Sequence, residues 1–229
     1  VHAQSLATLP GKLLRIDVSA AQAGERYRIP PDNPFVGEGR GEIFALGFRN
    51  PWRFTFDPLD GTILLGDVGQ DRREEVDQVV AAGNYGWPAR EGTLCFRTDP
   101  CEDPEFTDPV VELTHAEARA IVVGYRYRRT DVPGLEGSLV VADYISGNVW
   151  SASAEGETRL EVEGRFPISS IGVDTEQRPY VTRYDGGKDG GLYRLVPNAP
   201  EASTFPTLLS QTGCVDPAHP SEPSAGMVS

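Results

Sequence analysis

The sequence predicts an all-β protein, from its punctuation, its strand lengths and a recurring unit. Gly and Pro number 25 and 19 among 229 residues, a density of turn formers that long helices would not survive. Apolar runs of about four to eight residues bounded by Gly, Pro or Asp recur throughout, and none extends into a long helical period. One layout returns three times: strand, tight turn, strand, then a loop holding Asp and Gly.

In chain order the predicted strands are Leu13–Val18, Ile43–Leu46, Arg53–Phe56, Thr62–Gly66, Val76–Val80, Ile121–Tyr127, Ser138–Ala142, Val149–Ala152, Ser170–Val173, Pro179–Tyr184 and Gly191–Leu195. In the first unit Phe54–Asp57 runs through Pro58–Gly61 into Ile63–Asp67 and Gly69. In the second, Tyr125–Tyr127 runs through Val132–Gly137 into Leu139–Asp143 and Gly147. In the third, Ser170–Asp174 runs through Thr175–Arg178 into Tyr180–Asp185 and Gly186. The second and third units lie about 40 residues apart, the spacing of four-stranded propeller blades. The longer first spacing is taken up by a loop, Pro88–Glu112, which carries Cys95 and Cys101. This predicts three blades, with Leu13–Val18 as the last strand of a preceding one.

Acidic side chains outnumber basic ones 34 to 21, a net charge of −13. That surface repels phosphate backbones and anionic lipid, so nucleic acid and membrane surfaces are poor partners. Hard cations such as calcium, which take oxygen ligands, are better ones. Hydrophobic residues make up 39% of the chain, too many for disorder, and no apolar run approaches the roughly 18 residues of a membrane span. Cys95 and Cys101, separated by a polar stretch with Pro100, suit a local disulfide and not a zinc site, and Cys214 is left over; both points favour export. Residues 1–197 read as the propeller segment, and residues 198–229, rich in Pro, as a tail or linker. A chain beginning at Val1, with its single methionine at Met227, reads as a piece of a longer protein.

The densest chemistry is Phe48-Arg49-Asn50-Pro51-Trp52, where a planar cation and an amide sit at a sharp turn before a strand. Arg is suited to carboxylate recognition, although it serves equally well to tie down a loop. Asp67-Val68-Gly69-Gln70, followed by Glu74 and Glu75, combines a glycine turn with carboxylates, the donor types calcium takes. His115 stands alone at a strand entry and reads as structural. No Ser/His/Asp order, phosphate loop or Cys/His nucleophile pair is visible.

Four motifs in order, Gly47–Asp57, Gly66–Gln70, Glu74-Glu75 and Gly83–Pro88, resemble the glucose/sorbosone dehydrogenase family, which includes quinoprotein aldose sugar dehydrogenases and the propeller of hedgehog-interacting protein. The resemblance covers residues 2 to 196 and corresponds to the C-terminal half of the family domain. It implies a six-bladed β-propeller with pyrroloquinoline quinone and calcium over the axis, oxidising an aldose or related sugar, secreted or periplasmic. By position, Arg49 and Asn50 match residues beside the quinone, and Arg165 a further cofactor-binding arginine. Gly69 and Gln70 match carbonyl ligands of the cofactor's calcium, while Glu75 and Tyr85 match a second, structural calcium site. Ile145 and Pro167 stand where the family's enzymes carry a lysine and an arginine, and Arg119 and Ile145 where many relatives carry cysteines. The family's general-base histidine falls before Val1. The tail around Cys214 resembles a segment leading to a further module, a candidate electron acceptor. The alternative reading is a non-catalytic, calcium-stabilised propeller that binds protein or glycan; a calcium-dependent hydrolase is a third.

Overall fold

The computed structural model describes residues 2–19, 24, 26–97, 100–101, 105–187, 189–197, 215–216 and 219–223. The chain divides into two compact units, Val1–Val196 and Pro197–Ser229. The second contributes a short antiparallel pair, Val215–Asp216 with His219–Pro223. Cys214 lies outside the described residues.

The first unit is a succession of antiparallel sheets. After a 3-10 turn at His2–Gln4, β1 (Lys12–Leu14) pairs with β2 (Ile43–Leu46). Strands β3 (Pro51–Phe56), β4 (Ile63–Asp67), β5 (Arg73–Val79) and β8 (Val111–Thr114) form one four-stranded sheet in that order. A small hairpin, β6 (Arg90–Glu91) with β7 (Leu94–Cys95), is inserted before β8. The next sheet runs β9 (Ile121–Arg126), β10 (Leu139–Asp143), β11 (Val149–Ala152) and β12 (Thr158–Val162). Strands β13 (Ile168–Val173), β14 (Pro179–Tyr184) and β15 (Gly190–Arg194) complete the series. The leading strands pack side by side, β3 on β9 and β9 on β13, as inner strands do around a propeller axis.

The core is laid down between successive sheets. Leu64, Val76 and Leu113 of one sheet interlock with Ile121, Val123, Leu139 and Val141 of the next. Val122, Val140 and Val149 then pack with Ile168, Ile171 and Val181. Both faces of β4, β5, β9 and β10 are therefore covered, and each fully buried aliphatic side chain contributes roughly 1.5–3 kcal/mol. By contrast β3 turns a row of aromatics, Trp52, Phe54 and Phe56, to solvent.

Three expectations need correction. The strand predicted at Leu13–Val18 ends at Leu14, and Asp17 instead bridges to Arg28. That strand is also not alone, because Ile43–Leu46 pairs with it. Gly47 separates β2 from β3: its φ is +84°, and a Cβ there would lie 2.3 Å from Asn84 Oδ1. Only glycine makes that turn. Finally, the segment Pro88–Glu112 is not a plain loop, since it holds the β6–β7 hairpin and the start of β8. The expected Cys95–Cys101 disulfide ties the end of that hairpin to the segment that follows it.

Candidate functional site

The turn after Gly47 delivers Arg49 and Asn50 to the head of β3, where Asp67 at the end of β4 receives them. Asp67 Oδ2 accepts the Arg49 backbone N–H at 2.8 Å, and Oδ1 accepts that of Asn50 at 2.6 Å. The same device recurs in the next sheet. Asp143, ending β10, accepts the backbone N–H groups of Arg119 and Ala120 at 2.9 and 2.7 Å. The repeated Asp of the sequence units is thus a staple that holds the entry to the inner strand. In the third sheet Asp185 pairs with the Arg183 side chain instead.

With its backbone pinned, Arg49 reaches across the loop after β4. Nε donates to Gln70 Oε1 at 3.0 Å and Nη1 to the Val68 carbonyl at 2.7 Å. Beside this cluster opens a cleft of about 350 Å³, lined by Asn50, Trp52, Val68, Ala120, Val122, Tyr144, Ser169 and Tyr184. Its walls come from the leading strands β3, β9 and β13 and from the ends of the strands beside them, β4, β10 and β14. Its size suits a small ligand, and its mainly apolar wall with a few polar groups is typical of ligand sites. Arg165 is exposed on the bend between β12 and β13 and is not among the lining residues.

The loop after β4 turns tightly at Gly69, where a Cβ would lie 1.5 Å from the Arg73 carbonyl oxygen. No side chain fits. The turn is held by Glu91 of β6, whose Oε1 accepts four consecutive backbone N–H groups. These are Gln70 at 2.7 Å, Asp71 at 2.8 Å, Arg72 at 2.9 Å and Arg73 at 3.2 Å. Burial alone would raise this carboxyl, but the four donors together hold it below its ordinary value.

A second cluster lies on one face of the same sheet. Glu75 and Asp77 point the same way from β5 and, with Asp67, bring carboxylate oxygens within 4.8 Å of one another. All three are buried, and both oxygens of Asp77 lack a hydrogen-bond partner among the described residues. Burial first, and mutual repulsion second, raise Glu75 and Asp77 well above the carboxylate range. Burial pushes Asp67 up to about 7. Uncompensated buried carboxylates are costly, and a cation is one way to compensate them. Tyr85 takes part through packing: its ring stacks on Phe48 with centroids 4.6 Å apart. Its hydroxyl donates to the Gln78 carbonyl at 2.8 Å and accepts the Val80 N–H at 3.1 Å.

The structure thus brings Arg49 and Asn50 onto Asp67 and Gln70 onto Arg49, joins Glu75 to the same Asp67 in a buried acidic cluster, and leaves Arg165 outside the cleft lining. Glu91 and Asp77 were missed by sequence reasoning. The Asp staple was visible there as a repeated position without a stated role. His115 places Nε2 2.9 Å from Glu74 Oε1.

A sequence profile of the Glucose / Sorbosone dehydrogenase family matches residues 1–198. The HIPL2 protein of Arabidopsis thaliana is 35% identical over 193 residues, covering 74% of this chain and 27% of that protein. Among solved structures, the apo form of the soluble aldose sugar dehydrogenase of Escherichia coli superposes with a TM-score of 0.66 at 22% identity, over 85% of this chain and 57% of that one. The PQQ-bound aldose sugar dehydrogenase of Streptomyces coelicolor gives 0.63 at 23% identity, over 83% and 53%. The chain therefore spans about a quarter of the plant relative and just over half of the two bacterial enzymes. That profile match, which spans most of the chain, makes it a member of the glucose/sorbosone dehydrogenase family.

Proposed function

We propose that this chain is part of a secreted or periplasmic quinoprotein that uses pyrroloquinoline quinone and calcium to oxidise an aldose or related sugar. The observation that carries the reading is the Arg49–Gln70–Asp67 cluster at the edge of the cleft. The residues fit the group. A tricarboxylate needs a cation beside it, and Arg49 is fixed by Nε and Nη1, while Nη2 has no hydrogen-bond partner among the described residues and would face an anion. A calcium ion needs oxygens, which the Gly69 and Gln70 carbonyls would supply.

Bound here, pyrroloquinoline quinone would supply the o-quinone that accepts the equivalent of a hydride from the sugar. Arg49 contributes a positive charge placed in advance, so negative charge developing beside it meets a donor that need not reorganise. Asn50, stapled through its own N–H, offers an amide to orient a polar ligand group. Trp52, Tyr144 and Tyr184 supply broad faces against which a flat ligand or sugar ring packs while water is excluded. Position suggests Arg165 as a further cofactor-binding arginine, although it stands outside the cleft lining. The buried cluster at Glu75 would hold the second, structural calcium, with Asp67 and Asp77 as added carboxylates and the Tyr85 carbonyl beside them. The exposed aromatic row of β3 supports the reading of residues 1–197 as a partial propeller whose remaining blades lie elsewhere in a longer protein. The tail, residues 198–229, would then link to a further module, a candidate electron acceptor.

The test is dye reduction by the purified intact protein supplied with calcium and the quinone, across a panel of aldoses. Sugar-dependent reduction, lowered about a hundredfold by Arg49→Lys without loss of fold, is the expected result. Neither a cofactor spectrum nor turnover with any sugar would defeat it. A second reading, a calcium-stabilised propeller that binds protein or glycan without catalysis, draws on Ile145 and Pro167, which stand where the family's enzymes carry cations. Calcium binding without any quinone binding would favour it.

A further inference from the structure

We infer that Glu91 is a positioning residue, which turns the Gly69 and Gln70 carbonyls toward a calcium ion by gripping the opposite edge of their peptide groups. The inference rests on the calcium reading above and names the device that makes it work. A trans peptide is planar, with its N–H and C=O pointing in opposite directions. The Gly69 carbonyl shares a peptide with the Gln70 N–H, and the Gln70 carbonyl with the Asp71 N–H. Both N–H groups end on Glu91 Oε1, at 2.7 and 2.8 Å. Both carbonyls must therefore face away from Glu91, on the outer side of the turn.

The geometry is over-determined. Arg72 and Arg73 add their N–H groups to the same oxygen, and Gly69 has no room for a side chain between Arg73 and Glu91. Convergence of successive N–H groups on an anion is the arrangement of a backbone nest. Here the anion belongs to the protein, so what the nest presents outward is its carbonyls, the ligand type hard cations take. Glu91 is itself 3% exposed. Its second oxygen lacks a hydrogen-bond partner among the described residues, so its place in the fold is explained by the turn it holds.

The experiment is calcium titration of the intact protein in the presence of pyrroloquinoline quinone, read by the absorbance of bound quinone, for wild type, Glu91→Gln and Glu91→Asp. Amide hydrogen exchange of Gln70 to Arg73 is measured in the wild type alongside. Glu91→Gln keeps the shape and weakens the nest, so half-saturating calcium is expected to rise about tenfold, with the full spectrum recovered at excess calcium. Glu91→Asp, too short to reach all four donors, should also raise it. Leu113→Ala, a core truncation far in kind from the turn, serves as the control and should lower stability without changing the calcium requirement. The four wild-type amides should exchange slowly although the side chains of Gln70 to Arg72 are exposed. An unchanged calcium requirement in both Glu91 variants, or fast exchange of these amides, overturns the inference while leaving the calcium reading intact. Absence of any calcium-dependent quinone spectrum in the wild type overturns both.

Discussion

Glu74 and His115, 41 residues apart, meet at 2.9 Å through Oε1 and Nε2, while the other oxygen of Glu74 accepts the Ile121 N–H at 2.8 Å. Glu74 is fully buried. One carboxylate thus fastens β5 to the segment between β8 and β9, where one sheet hands over to the next.

Removing either partner should loosen that handover. His115→Ala leaves one oxygen of a buried carboxylate without its partner and is expected to cost about 1–3 kcal/mol. Glu74→Ala, which also orphans the Ile121 N–H, should cost more, about 3–5 kcal/mol. Urea unfolding of both variants checks the order. Equal stability of His115→Ala and wild type would show that the contact contributes nothing net.

Much of this architecture was legible in the sequence where burial follows pattern. Ile43–Leu46, Val149–Ala152 and Pro179–Tyr184 appear as strands with the bounds their apolar runs suggested. The strands that escaped or were cut short are those whose residues contradict the pattern, and of β5 only Val76–Val80 was expected. β5 begins Arg73-Glu74-Glu75, and buries three acids, Glu74, Glu75 and Asp77, because each face carries its own polar cluster. β12 is an outer edge with four of its five residues exposed, so it shows no apolar face. At the site, Arg49, Asn50 and Gln70 were singled out by the family motifs they stand in and not by local spacing, since Arg49 reaches Gln70 across 21 residues. Glu91 was not, since its role exists only once the β6 hairpin meets a turn some 20 residues earlier, and no local spacing encodes that meeting.

Acid should release one specific latch. Glu42, buried before β2, accepts Arg40 Nη2–H at 2.8 Å and Nε–H at 3.3 Å, and the Tyr27 hydroxyl at 2.7 Å. Arg40 first and Tyr27 second hold its carboxyl down to about 2, against an ordinary 4.5. The folded value lies below the unfolded one, so as pH falls the unfolded chain takes up the proton first. The stabilisation is therefore complete above about pH 4.5 and is lost progressively toward pH 2. Glu42→Gln should be less stable than wild type by about 1–2 kcal/mol at pH 6 and nearly equal to it at pH 2. Denaturation midpoints at the two pH values decide it; a gap that persists at pH 2 contradicts the latch.

Asp77 should respond to substitution in opposite senses with and without calcium. In chelator, Asp77→Asn removes an acid whose two buried oxygens have no hydrogen-bond partner among the described residues, beside Asp67 and Glu75. That should stabilise the protein by about 1–2 kcal/mol. In calcium the wild type should gain stability through the cluster, and the variant should gain far less. Thermal melts of both proteins in chelator and in calcium measure this crossing. A variant less stable than wild type in chelator would mean that Asp77 is compensated without a cation.

The Cys95–Cys101 disulfide should influence the Gly69–Gln70 turn although it lies outside that turn. Cys95 pairs with Arg90 across the β6–β7 hairpin, and Glu91 is the next residue along β6. Arg90 also anchors the hairpin, through its ion pair with Asp108 at 2.8 Å and its bond to the Thr107 carbonyl. The hairpin is short, and a two-stranded ribbon of this size is marginal without support. Closing so small a loop restricts the unfolded chain by about 2 kcal/mol on the entropic account, and the closed loop, Cys95–Cys101, begins on the strand that pairs with Arg90 and Glu91. Cys95→Ser with Cys101→Ser should therefore lower stability modestly and also raise the calcium needed for half-maximal quinone absorbance. Joining it to Glu91→Gln should produce little further rise, because both changes act through the same carboxylate. Fully additive shifts in the double-mutant cycle would place the disulfide's effect elsewhere.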